Sequence, residues 1–503
     1  MSDAGYLGAG GRLSGGPAPE LVEAGYRHEL GHARRLAHGL SQADLAHAVA
    51  LVEGGGLDQE RGGRLLAGLL ELDAIPPDEF PWDPGLGDAF NSREAELERR
   101  IGPDAAGWLS AGRPRREAFR VALRLVARDG TVDLHDALVD AAAALGRHAA
   151  EHADDLAADY TYLQPAQPTT VGHLLLTYAF PLLRDAERLR GVHLALRHSV
   201  AGVGGSAGSR WPLDRRRLAE LLGCVELEPH AKDAMWQADV YVELLAAIAM
   251  QATHLSQLGQ DFEIYASQEF ALVELDDRHS RASALMPQKK NPYALAVIRT
   301  QAGQATGDLT AALTTLHTGS ARTDHFHLLN GLVPRALEEA VAVGRLAAAV
   351  LDGLRVDVER LGRVAREGFT SMADVSDVLA MTTGLDYRRA HKVVGRAVRD
   401  LRAAGGTPAD LTPGLLAEAA EAVTGERVEI EAAVLADALD PLASAHARRQ
   451  EGSSRPAEVA RLLDFLQREV AADRSWSAER RAEASEAEAG LYEAAQALAG
   501  GHA

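Results

Sequence analysis

Residues 237–265, QADVYVELLAAIAMQATHLSQLGQDFEIY, leave this chain few folds to choose from. Leu244, Ile248, Leu255, Leu258 and Phe262 fall on one helical stripe. Ala246, Ala247, Ala249 and Ala252 make most of the remaining surface small or apolar as well. A helix that is apolar on more than one side is buried among other helices. Residues 171–200 and 295–316 have the same character, and strand-like runs are few. The pattern predicts an all-α chain with a central bundle of long helices over 113–363. An N-terminal helical domain over 1–112 and a C-terminal one over 364–503 flank it. Pro181 is expected to kink the helix that contains it. The charged, alanine-rich tail from Ala471 reads as a surface helix or a frayed end. GGRLSGGPAP near the start and AAGGTPADLTPG at 403–414 read as loops, and no solenoid repeat occurs.

A net charge of −20 argues against broad nucleic-acid binding and against docking on an anionic membrane, since both need a basic surface. It leaves room for a local basic pocket that takes an anionic substrate. Cys224 is the only cysteine, so no intrachain disulfide forms, which suits a reducing cytoplasm. The N-terminus lacks the basic region and apolar core of a signal peptide. No apolar run approaches the ~20 residues that span a bilayer. A cytoplasmic location is expected.

The stretch ASALMPQKKNPYALAVIR, 282–299, places Ser283, Lys289, Lys290 and Asn291 in a loop that runs into an apolar helix. A serine hydroxyl becomes a base when backbone N–H groups and a nearby cation stabilise its oxyanion. Pro287 and Pro292 restrict the backbone there. Composition alone reads the same residues as a solvated turn at a helix start. YTYLQPAQPTTVGH, 160–173, carries Thr161, Tyr162, Gln164 and Gln167 ahead of a buried helix. Its simplest reading is helix entry with Thr169 or Thr170 as cap. GWLSAGRPRREAFR, 107–120, clusters Arg113, Arg115 and Arg116 at a helix start. Guanidinium forks suit carboxylates, although a solvated basic turn is the commoner cause of such a run. VGGSAGSRW, 203–211, is a glycine-rich loop with no preceding strand, which argues against a dinucleotide fingerprint. Asp324, His325 and His327 lack a well-spaced remainder for a metal site, so no metal is expected.

These stretches together resemble the aspartase/fumarase superfamily, and within it argininosuccinate lyase. SALMPQKKNP, 283–292, is similar to the superfamily's signature loop; YTYLQPAQPTTVGH to its Thr-His-Leu-Gln segment; AGRPRREAF to its Gly-Arg-Ser-Arg-Asn-Asp segment. GFTSMADVSDVLA (368–380), RRAHKVVGRAV (388–398) and ALDPLASAHARRQEGSSRPAEV (438–459) extend the likeness to the C-terminal region. The resemblance implies an almost wholly helical, three-domain subunit. It also implies a homotetramer with each active site built from three subunits, and chemistry without metal or organic cofactor. Members release fumarate by anti elimination from a small dicarboxylate. A base takes a Cβ proton, the carbanion delocalises into the neighbouring carboxylate, and the leaving group departs from Cα. By matching positions, Ser283 is the base, and Lys289 and Asn291 hold the carboxylates. Arg115 and Thr161 bind the far end of the succinyl group. Gln167 and Met286 match substrate-contacting positions.

The departures from the family pattern fall on one end of the substrate. Position 162 is histidine and position 296 glutamate in the family, forming a charge pair; here they are Tyr162 and Ala296. Ser-Arg-Asn becomes Pro114, Arg115, Arg116, and a first-domain histidine becomes Asn91, which is still expected to contact the substrate. The Tyr, Gln and Lys of the amino-acid tail pocket correspond to Thr323, Leu328 and Gly331. The succinyl end is kept and the arginine end rebuilt, so the expected substrate is another N-substituted succinate. A leaving group that departs as a stable anion needs no enzyme proton. Nitrosuccinate, losing nitrite, is one case, with Arg116 helping the anion. In the other case Tyr162 is the acid for an amine or hydrazine leaving group. Two alternatives stand beside this: an argininosuccinate lyase with a divergent pocket, and a non-catalytic, crystallin-like structural homologue.

Overall fold

A computed structural model describes residues 12, 13, 15–319 and 324–500. Three long helices form the centre: α4 (Arg115–Glu151), α6 (Asp239–Tyr265) and α8 (His325–Asp352). Packed on them are α5 (Val171–Leu196) and α7 (Tyr293–Thr315). Ahead lie α1 (Ala33–Glu53), α2 (Gln59–Asp73) and α3 (Ala89–Ile101). Behind lie α9 (Met372–Thr383), α10 (Tyr387–Ala403), α11 (Pro413–Thr424) and α12 (Pro456–Ala499). The chain is thus predominantly helical, as its sequence predicts. The stripe on α6 is buried at Leu244, Ile248, Leu255, Leu258 and Phe262. Among the described residues no helix is long and apolar enough to cross a membrane.

The cores do not follow the expected division at 112 and 363. One continuous core runs from Leu30 through α1–α8 and takes in Val459, Leu466, Val470, Leu491 and Ala495 of α12. A separate core holds Val375, Leu379, Val393, Leu416 and Leu435. The C-terminal tail is therefore neither frayed nor a detached part of a 364–503 unit; α12 packs along α4 and α2. The helix α5 runs on through Pro181.

Short hairpins interrupt the bundle where the sequence suggested only helix entry. Strands β1 (Leu156–Thr161) and β2 (Gln164–Thr170) pair antiparallel, with Thr161 opposite Gln164. Thr170 then caps α5 by accepting from the His173 N–H at 3.2 Å. The glycine-rich loop at 203–211 wraps a carboxylate of its own chain: the Gly202 and Gly204 N–H groups donate to Glu117 at 2.6 and 3.0 Å. Gly204 has φ +62°, and a Cβ there would meet the Gly208 carbonyl carbon at 2.7 Å. This accounts for the glycines without a nucleotide.

His193 of α5 is buried against Trp476, with ring centroids 5.1 Å apart. Burial, with Arg197, Arg128 and Arg480 nearby, lowers its pKa to about 3. The unfolded chain takes a proton near pH 6.5 that the folded chain refuses until far lower pH. The stability from neutral His193 is therefore intact above about pH 6.5 and falls by roughly 1.4 kcal/mol per pH unit below it. Urea unfolding between pH 7 and 5 is expected to show a slope smaller by about one proton in His193→Gln than in the parent.

Candidate active site

The signature stretch is a closed hairpin. Strands β3 (Arg281–Ala282) and β4 (Lys290–Asn291) pair, with Arg281 opposite Asn291 and Ala282 opposite Lys290. Asn291 Nδ2 donates to the Arg281 carbonyl at 2.8 Å, which locks the base of the hairpin. Lys290 Nζ bridges Glu274 and Asp277, each at 2.7 Å, and these hydrogen bonds raise its pKa. Ser283 Oγ accepts from the backbone N–H of Met286 at 3.0 Å and of Leu285 at 3.3 Å. Two oriented amide dipoles thus converge on the hydroxyl oxygen, which stabilises it as an anion. Lys289 is exposed at the tip, and among the described residues its ammonium has no ion-pair partner. Pro287 and the Met286 side chain share that exposed tip.

Tyr162 and Leu163 form the β1–β2 turn, with φ of +52° and +58°. Both central positions of such a turn need positive φ, which favours Asn and Gly. A side chain held there costs about 1 kcal/mol or more. Tyr162 is 99% exposed, thrown clear of the subunit. Thr161 and Gln167 flank it on the same exposed hairpin.

The arginines of 113–120 separate by role. Arg113 is buried and donates to Asp44 Oδ1 at 2.6 Å, so it is structural. Arg115 and Arg116, in the first turn of α4, line a cavity of about 460 Å³. Arg115 Nη1 donates to Asp88 Oδ2 at 2.6 Å. Phe119, Arg120, Phe326 and Asn330 form further wall, and His28 and Glu29 close it from the N-terminal side. Asn91 does not line it. Its amide donates to the Leu86 carbonyl at 2.7 Å and its backbone N–H to Asp88 Oδ1 at 3.2 Å, so it braces Asp88 from beneath. His325 and His327 diverge: the first bonds the Trp236 carbonyl at 3.1 Å, the second pairs with Glu29 at 2.5 Å. They do not converge on a metal position. Gly331 lies against His32, whose ring a Cβ would approach to 2.2 Å, so a side chain at 331 requires that ring to move. Thr323 lies outside the described residues, and Leu328 is half-buried on α8.

One subunit therefore brings Arg115 and Arg116 together at a cavity, but not with Ser283, Lys289, Asn291 or Tyr162, none of which lines it. Asp88, Glu29 and Arg120 were not singled out from sequence, because their positions are far apart in the chain and carry no local motif.

A bundle of long helices with an exposed Ser-Lys-Asn hairpin is the subunit of the aspartase/fumarase superfamily. A lyase family model matches residues 65–307, and an argininosuccinate lyase C-terminal model matches 369–445. Argininosuccinate lyase of Methanoculleus marisnigri is 31% identical over 484 residues, covering 93% of this chain and 94% of that one. The Halobacterium salinarum enzyme is 34% identical over 452 residues, 89% of each chain. The crystal structure of EDDS lyase in complex with formate superposes with a TM-score of 0.86 at 29% identity, covering 99% of both chains. The chain belongs to the argininosuccinate lyase family. It is a fumarate-forming carbon–nitrogen lyase.

Proposed function

We propose that the protein releases fumarate from an N-substituted succinate other than argininosuccinate, with Ser283 as the base. The observation that carries this reading is the pair of amide N–H groups on Ser283 Oγ, in a hairpin whose exposed tip holds Lys289, without an ion-pair partner among the described residues. Ser283 takes the Cβ proton, and the electron pair it leaves delocalises into the adjacent carboxylate. Lys289 and Asn291 meet that charge. The C–N bond then breaks, and its electrons leave with nitrogen. Arg115, with Thr161, holds the far end of the succinyl group; Gln167 and Met286 border it.

The active site is proposed to be shared within a homotetramer of cytoplasmic subunits. Tyr162 at 99%, Leu285 at 85% and Leu163 at 51% exposure leave apolar surface on two hairpin tips, well placed to enter a neighbour's site. Light scattering is expected to give the mass of four chains.

Two features support a rebuilt leaving-group end. Position 331, matching the lysine of the family's tail pocket, is a glycine packed against the His32 ring, which a Cβ would approach to 2.2 Å. Position 162 holds a tyrosine in a strained turn, and strain of this kind persists where function needs it. Incubation with fumarate and amines, hydrazine or nitrite, followed by mass spectrometry, identifies the nucleophile without knowledge of the full substrate. Nitrite addition marks nitrosuccinate as the substrate class, and amine or hydrazine addition marks the amino- or hydrazinosuccinates. For an amine or hydrazine, Tyr162→Phe is expected to lower kcat about 10²-fold, as loss of a general acid does. For nitrite it is expected to change kcat less than about threefold. Equal losses with both would remove the acid role. The second reading, argininosuccinate lyase, is favoured by the names of the relatives at 31 to 34% identity. Fumarate release from argininosuccinate at a rate above that from every other succinate would establish it.

A further inference from the structure

The last turn of α4 reads HAAEH, residues 148–152, two histidines and a glutamate at the spacing H-x-x-E-H. With 3.6 residues per turn, positions 148, 151 and 152 fall on one side of the helix, within an arc of about 100°. In the folded chain one ligand atom from each of His148, Glu151 and His152 lies within 4.8 Å of the other two. Among the described residues no other set of three His, Cys, Asp or Glu groups meets that condition. Both rings are half-buried, and Glu151 is exposed and able to turn.

The second nitrogen of each ring separates a metal site from a helix end tied by ordinary hydrogen bonds. His148 Nε2 lies 3.3 Å from the Asp352 carbonyl at the end of α8, and His152 Nδ1 lies 2.8 Å from Asp155 Oδ2. A carbonyl and a carboxylate only accept, so these two nitrogens carry the protons and donate. In the neutral rings the lone pairs are thereby left on Nδ1 of His148 and Nε2 of His152. Neither of those nitrogens receives a hydrogen bond among the described residues. A metal-ligating histidine is held in this way, one nitrogen on the ion and the other donating to a carbonyl or carboxylate. His148 Nδ1 faces Glu151 Oε2 at 4.0 Å, too far for a hydrogen bond. Ligands of one tetrahedral ion stand about 3.4 Å apart, a distance that rotation of the Glu151 side chain reaches. The C-termini of α4 and α8 meet here and add partial negative charge, while Arg147 is already paired with Asp352.

We infer that His148, Glu151 and His152 bind a divalent transition ion of the zinc class, with water in the fourth position and Asp155 orienting His152 from behind. Two imidazoles and one carboxylate favour such an ion over Mg²⁺ and Ca²⁺, which take oxygen ligands. Its role is structural. The His152 carbonyl accepts from the Gly172 N–H of α5 at 2.9 Å, and a Cβ at Gly172 would meet the Ala149 carbonyl at 2.6 Å. An ion on this turn therefore braces the point where the ends of α4 and α8 meet the start of α5. About 50 Å of helix separates it from Arg115, and the elimination proposed above uses none of the three ligands.

The test uses the full-length protein without an affinity tag, stripped with EDTA and titrated with Zn²⁺ in the calorimeter and with Co²⁺ by visible absorption. One ion per chain is expected, with a melting temperature that rises with Zn²⁺ and not with Mg²⁺. His148→Ala, His152→Ala and Glu151→Gln are each expected to weaken Zn²⁺ binding tenfold or more. Asp155→Ala removes no ligand and is expected to weaken it about 10- to 100-fold. His391→Ala, an exposed histidine on α10, is expected to leave it unchanged. Melting of the metal-free variants checks their folds, and the exposed Glu151 carries the test should a histidine variant fail to fold. A parent protein that binds no Zn²⁺ at micromolar concentration overturns the inference. So does parent-like affinity in His148→Ala, His152→Ala or Glu151→Gln, which would mean scattered surface histidines. Parent-like affinity in Asp155→Ala overturns the orienting role given to Asp155.

Discussion

Ser283→Ala is expected to lower kcat for fumarate release by roughly 10³-fold, the scale of losing a general base, with KM changed little. The substrate is whichever N-substituted succinate the parent enzyme cleaves, and the readout is the ultraviolet absorbance of fumarate. In the proposed role the Ser283 oxyanion has a third lone pair for the proton, while the two backbone amides that donate to this oxygen meet its negative charge. Alanine removes the oxygen and leaves those amides in place. The hairpin does not depend on the hydroxyl for its shape. It is closed by the β3–β4 ladder, by Asn291 on the Arg281 carbonyl, and by Lys290 on Glu274 and Asp277. The loss is therefore chemical, and circular dichroism and melting of the variant should match the parent. A Ser283→Ala enzyme that retains a tenth or more of the parent rate would move the base elsewhere.

The long helices were legible because their apolar residues exceed what one face can hold. Leu244, Ile248, Leu255, Leu258 and Phe262 are buried where the stripe on 237–265 placed them. The last helix was not read as core. Its surface is heavily charged, and the apolar positions that pack, Val459, Leu466, Val470, Leu491 and Ala495, are sparse. Their separations of 7, 4, 21 and 4 keep to one face and are the signal that marks a helix seated along a bundle. The β1–β2 hairpin was hidden by its turn, since Tyr-Leu gives no hint of two positive φ angles. For the site, the proposal of Ser283, Lys289 and Asn291 came from the resemblance of the signature stretch, since its composition alone reads as a solvated turn. The cavity did not show, because Glu29, Asp88, Arg120 and His327 meet only after the chain has folded. Asn91 was expected at the substrate and instead supports Asp88 from below, a distinction that depends on which way one side chain turns on α3.

Asp44→Ala is expected to destabilise the subunit by roughly 3–5 kcal/mol, the cost of leaving buried charge without its partner. Asp44 is fully buried on α1. Its Oδ2 accepts from Arg93 Nε and Nη2, both at 3.1 Å, and its Oδ1 accepts from Arg113 Nη2 at 2.6 Å. Removing one carboxylate strands two guanidinium groups, which among the described residues retain only Ser41 Oγ and the Ala43 carbonyl as acceptors. A lower urea midpoint is the measure, taken at fixed protein concentration because an oligomer's stability depends on it. Replacing all three charged residues together by apolar side chains is expected to recover most of the loss, since the penalty comes from unpaired charge and not from missing attraction. The same variant reaches the cavity. Arg113 lies two residues before Arg115, and Arg93 stands on the helix whose cap, Asp88, holds Arg115. The buried triad thus fixes the distance between α3 and the start of α4, and with it the position of the Arg115 guanidinium, which is proposed to take the succinyl carboxylate. Asp44→Ala at a temperature where it remains folded is expected to raise KM more than it lowers kcat. A variant that loses stability but keeps the parent KM would show that Arg115 is positioned by Asp88 alone.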